Sequence, residues 1–138
     1  MTALTGDIKL NRRGVESSRN EFAYQVAAGE VVWRNSLIAL NAAGNVVRVQ
    51  TAGAAVFLGV SSKQIDNRTG AAVSADRVIG QKGTWAIVVP GATPANIGAT
   101  VYAADDGTLA LVNSGGLLTV GVLTGIDGGK TYISLAGS

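Results

Sequence analysis

The sequence predicts an all-β fold: a small, glycine-rich β-barrel domain preceded by an extended N-terminal arm. Two observations carry the prediction. About ten short aromatic and aliphatic runs recur with turns roughly every 8–12 residues, the spacing of a sandwich or barrel. Glycine makes up 19 of 138 residues, about twice the usual share, without the three-residue period of collagen. No window offers three turns of amphipathic helix.

Met1–Glu21 is polar, and across it as a whole the apolar positions are sparse and follow no period of 2 or 3.6. Residues 1–34 hold nine of the charged side chains and the remaining 104 residues hold eleven. Residues 1–21 are therefore read as an arm outside the core, and residues 22–138 as the barrel domain. The first strands are Phe22–Ala27, Val31–Arg34 and Leu37–Leu40. Val46–Gln50 sets Val47 and Val49 against Arg48 and Gln50, the alternation of a half-buried strand. Ala55–Val60, Arg77–Ile79, Thr84–Val89, Thr100–Tyr102, Leu109–Val112, Leu117–Leu123 and Thr131–Leu135 follow. Between them stand Asn41–Asn45, Pro90-Gly91, Asp105-Asp106-Gly107, Ser114-Gly115-Gly116 and Asp127-Gly128-Gly129. Glycine and asparagine reach positive φ at low cost, which tight hairpins require. Short helical turns are admitted between Ser62 and Asp76 and around Thr93–Ile97.

A faint internal duplication runs through these elements. Gly44 and Gly107 lie 63 residues apart, as do Gly53 and Gly116, while Val60 and Val122 lie 62 apart. Each copy reads strand, glycine turn, strand, glycine loop, then a strand ending Gly-Val. Two copies fall short of the three or more that a solenoid needs, so a pseudo-twofold barrel is expected.

Composition narrows the chemistry. Apolar residues make up 47% and charged residues 14%, and mean hydropathy is +0.31, the opposite of a disordered chain. Cysteine and histidine are both absent, which removes disulfides, thiolate or imidazole metal sites and histidine-based triads. No cofactor or metal is expected. The uncharged stretches Gly83–Ala104 and Gly107–Ile126 are interrupted by proline, asparagine and glycine, so neither is a bilayer-spanning helix. The start, Met1–Arg13, lacks the apolar centre of a signal peptide; a soluble protein without a secretory signal, and no membrane partner, is expected.

Gly125–Thr131 imitates a phosphate loop, but the pattern needs glycine where Thr124 stands; a hairpin turn is expected. Asp105 and Asp106 are adjacent and point apart, whereas paired-carboxylate hydrolysis sets two groups about 5–9 Å apart across a cleft. Asp76 and Asp127 are not placed by any spacing to join them. Lys82, beside Gly83-Thr84-Trp85, lacks the flanking residues of a carrier lysine. The net charge is +2, and the arm's Lys9, Arg12, Arg13 and Arg19 are offset by Asp7, Glu16 and Glu21, so no nucleic-acid partner is expected. These four basic residues suit the acidic surface of a protein partner. Trp33 and Trp85 are core or barrel-end residues by default and interface anchors by the alternative.

The ordered run of Gly29-Glu30-Val31-Val32, Leu37–Leu40, Val46–Val49 and Ala54–Val60, then Gly83–Val88, Ile97–Tyr102 and Val120-Gly121-Val122 resembles the capsid cement, or head decoration, proteins of tailed bacteriophages. Leu37–Val60 with Lys82–Trp85 is similar to the core of lambda-type head decoration proteins, which form a trimeric β-tulip. The second Gly-Val unit after Tyr102 makes this chain longer than that type. The resemblance spans roughly residues 22–135. It implies a non-enzymatic virion protein on the outer capsid surface, made in the host cytoplasm, whose partners are the major capsid protein and itself, as a trimer before a dimer. It implies further that the arm, through Lys9, Arg12, Arg13 and Arg19, pairs with capsid protein by adding a strand to a sheet edge. The alternative from another class is a carbohydrate- or receptor-binding module of a phage fibre.

Overall fold

The computed structural model describes residues 22–135. Twelve strands run in chain order: β1 (Ala23–Gln25), β2 (Val31–Val32), β3 (Leu37–Leu40), β4 (Val46–Arg48), β5 (Val56–Ser61), β6 (Ile65–Asp66), β7 (Arg77–Gln81), β8 (Thr84–Ala86), β9 (Thr100–Ala103), β10 (Leu109–Ala110), β11 (Thr119–Asp127) and β12 (Lys130–Leu135). They pair antiparallel in two five-stranded sheets, ordered β1-β7-β5-β3-β4 and β10-β9-β11-β12-β8, with β2 and β6 as a separate pair. The expected all-β class holds.

The duplication extends over both five-stranded sheets. Reversing the second order gives β8-β12-β11-β9-β10, so each strand of one sheet has a counterpart at the same place in the other. Registers agree as well. Ile38 of β3 faces Gly59 of β5 and Val101 of β9 faces Gly121 of β11; each pairing slips by one residue at the same step, leaving Leu58 and Val120 as the extra residues of matching bulges. Each sheet also curls until a parallel bridge joins its outer strands, Val26 to Val46 in the first half and Val88 to Thr108 in the second. The turns Asn41–Asn45 and Ala104–Thr108 close on equivalent bonds, Asn41 N to Asn45 O at 2.9 Å and Ala104 N to Thr108 O at 3.0 Å.

Glycine is required where the strands are pressed closest. A Cβ on Gly121 would lie 2.0 Å from the Ser134 carbonyl oxygen, and one on Gly59, at φ 139°, would lie 2.6 Å from the Gln81 carbonyl oxygen. Any side chain there pushes β11 off β12, or β5 off β7.

Two apolar cores result. Val26, Val32, Ile38, Val46, Ile65 and Val78 fill the first half. The larger cluster joins both halves, with Leu37, Ala39, Val47 and Val60 packed with Val101, Leu109, Leu123 and Ile133. Alternation in β3 and β4 explains this: Ile38 and Val46 belong to the first core, Leu37, Ala39 and Val47 to the shared one. Each fully buried Val, Leu or Ile contributes about 1.5–3 kcal/mol, and a main-chain bond from Leu37 N to Asp106 O (2.8 Å) locks the two halves in register.

The strands differ from expectation mainly at their ends. The region Ser62–Asp76 holds β6 instead of a helical turn, because Ile65 finds a main-chain partner in Val32. The turn near Thr93 does form, as a 3-10 turn over Pro94–Asn96 with the Asn96 side chain accepting from Thr93 N. Beyond Ala86 the Thr131 hydroxyl takes the Ile87 carbonyl, and β8 stops short of Val89. The stretch after Leu123 continues as β11 to the two-residue turn Gly128-Gly129, both at positive φ, as a type I′ hairpin requires.

Gly121→Ala is expected to destabilise the protein by about 1–3 kcal/mol through overpacking. Gly125→Ala, where a Cβ meets nothing within 4 Å, is expected to be neutral or to stabilise by up to about 1 kcal/mol. Denaturant midpoints of the two variants check the contrast.

Candidate functional site

The first half carries additions that the duplicated frame does not require. Between β5 and β7 it inserts residues 62–76, whereas β11 and β12 are joined by Gly128-Gly129 alone. The insertion supplies β6, and β6 pairs with β2. Together they bring Arg68 over the exposed ring of Trp33, which Arg34 follows in the chain.

Glu30 fastens the chain where it enters β2. Its carboxylate is buried and accepts from Val31 N (3.0 Å), Arg48 N (3.2 Å), Arg48 Nε (2.8 Å) and the Thr51 hydroxyl. Burial alone pushes its pKa up, but the Thr51 hydroxyl, the two amides and the Arg48 charge outweigh burial and hold it below its ordinary value. Every lone pair is committed to the protein, so this carboxylate is a fastener between β2, β4 and the Thr51 turn and has no free valence for a substrate.

At the other end of β2, Trp33, Arg34 and Asn35 form the exposed turn between β2 and β3. Asn35 adopts φ 65°, the single non-glycine residue at positive φ among those described, and its N–H donates to Ser61 O at 3.0 Å. The Ser36 hydroxyl and amide both donate to Trp33 O. Five main-chain and side-chain groups thus hold the turn rigid. Trp33 is 40% exposed, and the Arg68 guanidinium carbon lies 5.6 Å from its ring centroid, a cation–π distance. Arg68 is itself clamped by Asp66 through Nε (2.9 Å) and Nη2 (2.6 Å). That clamp and the Arg68 amide lower the Asp66 carboxyl to about 2 and raise Arg68. Arg34 makes no ion pair among the described residues.

Other candidate residues are scattered. Trp85 packs half-buried against the shared core, opposite Ile133, with Nε1 donating to Lys82 O at 2.9 Å. The two tryptophans therefore do different work: Trp33 is presented and Trp85 is packed. Lys82 lies with Nζ 4.8 Å over the Phe57 ring, and burial lowers its pKa, the opposite of a swinging carrier lysine. Asp105 accepts from Gly107 N (2.9 Å) as a turn former, Asp127 stands opposite Lys130 in the strand register at a hairpin end, and Asp76 is ion-paired to Lys63 at 2.8 Å. No group of three or more acidic residues converges among the described residues. Lys9, Arg12, Arg13 and Arg19 lie outside the described residues. No described helix is long and apolar enough to cross a membrane. Asp66 and Arg68 escape sequence reading, because only the β2–β6 pairing brings them beside Trp33. Compared with known proteins, the chain matches no family model, no curated protein and no solved structure.

The Glu30 fastener has a measurable pH signature. A carboxyl held below its ordinary value of 4.5 stabilises the fold fully above that pH, and the contribution is lost as pH falls through its lower folded-state value. Glu30→Gln is expected to cost about 1–3 kcal/mol at pH 7 and to flatten the fall in stability as pH drops below 4.5. Urea midpoints at several pH values, compared with the unaltered protein, separate this from the shared contribution of Asp66 and Asp76.

Proposed function

We propose that this protein is a structural virion component that binds the outer surface of a phage capsid and cements neighbouring capsomers. The observation that carries the reading is the rigid Trp33-Arg34 turn with Arg68 stacked on it, raised on elements that the duplicated frame does not need. Tryptophan and arginine are the residues that dominate binding at interfaces, and here they are exposed on a body held stiff by two strand layers. The exposed entry point is a second support. The body begins at Phe22, exposed and 6.5 Å from the Tyr24 ring, directly before β1 at a sheet edge. A polar arm leaving that edge, with Lys9, Arg12, Arg13 and Arg19, is suited to reach an adjacent subunit of the shell. The resemblance in sequence order to head decoration proteins points the same way.

Mechanism follows from multivalency. One contact through the turn and another through the arm make the second binding event intramolecular, so modest contacts combine into firm retention. Self-association, as a trimer before a dimer, multiplies the effect. Preference for the assembled lattice over its dissociated parts then stabilises the lattice by linkage. No covalent step is involved.

The carbohydrate-binding alternative would use the Trp33 ring as a stacking platform. Arg68 already covers one face of that ring, and a sugar there would have to displace a guanidinium bound to Asp66.

Purified protein is expected to co-sediment with expanded, undecorated capsids. Removing Met1–Glu21 is expected to leave a folded body, checked by circular dichroism, that is no longer retained. Trp33→Ala with Arg34→Ala is expected to weaken retention at least tenfold while leaving the thermal midpoint nearly unchanged. Failure of the unaltered protein to co-sediment, or normal retention of both variants, would overturn the reading; reproducible glycan-array binding in its place favours the alternative.

A further inference from the structure

The two halves differ in how one groove is covered. In the first half the chain leaving β1 is overlaid by the inserted segment. Val26 N donates to the Ser74 hydroxyl (2.8 Å), Ser74 N donates to Val26 O (2.9 Å), and the Asn67 side-chain amide donates to Ala27 O (3.0 Å). Gly29 N to Asn67 O and Asn67 N to Glu30 O complete a short run of strand-like bonds at 3.0 and 2.8 Å. Val26 is fully buried as a result.

In the second half the counterpart stretch, Val88–Ala92, has no such cover among the described residues, since β11 turns straight into β12. In its place lies an open apolar groove of about 520 Å³, lined by Ile87, Val88, Ala92 and Ile126 with exposed Lys130. Val88, the counterpart of Val26 in the closing bridge, is 62% exposed. The protein thus displays the same site twice, once filled by an extended peptide and once empty of one.

We infer that this groove is the docking site of the protein's own N-terminal segment Leu4–Leu10. The arm as a whole has no period, but within residues 4–10 the even positions hold Leu4, Gly6, Ile8 and Leu10 and the odd positions hold Thr5, Asp7 and Lys9. That is the alternation of a strand with one apolar face, and an extended segment docks by main-chain bonds with alternate side chains in the groove. Asp7 supplies the charge opposite to Lys130. Between Leu10 and Phe22 the chain spans up to about 40 Å when extended, comparable to the width of a body whose radius of gyration is about 13 Å. The groove is therefore within range of the segment from the same copy or from a neighbour. Arg12, Arg13 and Arg19 lie beyond the docked stretch and stay available to another partner.

The inference needs no capsid, so its failure leaves the cementing reading standing. The chain lacks cysteine, which makes paired substitutions clean reporters. In the full-length protein, Val88→Cys combined in turn with Leu4→Cys, Ile8→Cys or Leu10→Cys is oxidised mildly at micromolar concentration. At least one pair is expected to form a disulfide at ten times or more the yield of the same arm position combined with Val112→Cys, an exposed apolar site (71%) outside the groove. An intrachain product marks docking within one copy and an interchain product marks exchange between copies; both support the inference. No link at any of the three positions, or equal yields with Val112→Cys, overturns it. As a second measurement, Ile8→Asp with Leu10→Asp is expected to speed amide exchange at Val88 and Val89 more than tenfold and to leave β3 and β5 unchanged; unchanged exchange at Val88 and Val89 overturns it.

Discussion

A carbonyl oxygen 2.0 Å from where a side chain would start, as Ser134 stands to Gly121, leaves room for one residue type only. The same demand recurs where Gln81 and Gly80 crowd Gly59. Both glycines follow a bulge residue, Leu58 or Val120, and both sit on the central strand of their sheet, β5 or β11. The bulge raises the local twist, and the glycine lets the neighbouring strand follow the bend. Curling of each sheet, and the parallel bridge that joins its outer strands, depend on that combination. So does the shared core, because curled sheets present Leu37 and Val60 on one side and Leu123 and Ile133 on the other as surfaces that fit.

With the frame accounted for twice over, what departs from it carries the information about function. The inserted segment 62–76 contributes Ile65 to the first core and brings Arg68 and Asp66 beside Trp33. Stability and presentation are thereby coupled: Ile65 closes one end of the core, and the neighbouring Asp66 holds Arg68 over Trp33. The second half spends no residues on such a cover, and an apolar groove is left where the first half is sealed.

The buried polar groups fit a body that must hold its shape. Glu30, Ser61 and Ser74 are buried, and each has its hydrogen bonds met by the chain. Among the described residues no buried side-chain nitrogen or oxygen lacks a partner. Fully satisfied groups of this kind favour one arrangement over near alternatives. The exposed pairs Lys63–Asp76 and Arg68–Asp66 add little stability in water; the second matters for where it holds the guanidinium.

Much of this was legible in the residues alone. Local chemistry dictates strands such as Leu37–Leu40 and Val46–Arg48, the Gly128-Gly129 hairpin and the turn at Pro94, because alternation, positive φ and proline's fixed φ act over a few residues. The 62- and 63-residue offsets also announced the two-copy plan. Propensity could not show that Ile65-Asp66 is a strand, since a two-residue strand exists only through its partner Val31-Val32. Nor could it separate Trp33 from Trp85: one stands on a turn and the other is packed opposite Ile133, a difference made by pairing across more than thirty residues. Composition and short-range pattern determined that this chain is a glycine-turned β protein built in two copies. Long-range register decided which tryptophan meets solvent, which carboxylate is locked inside, and which of two equivalent grooves stays open.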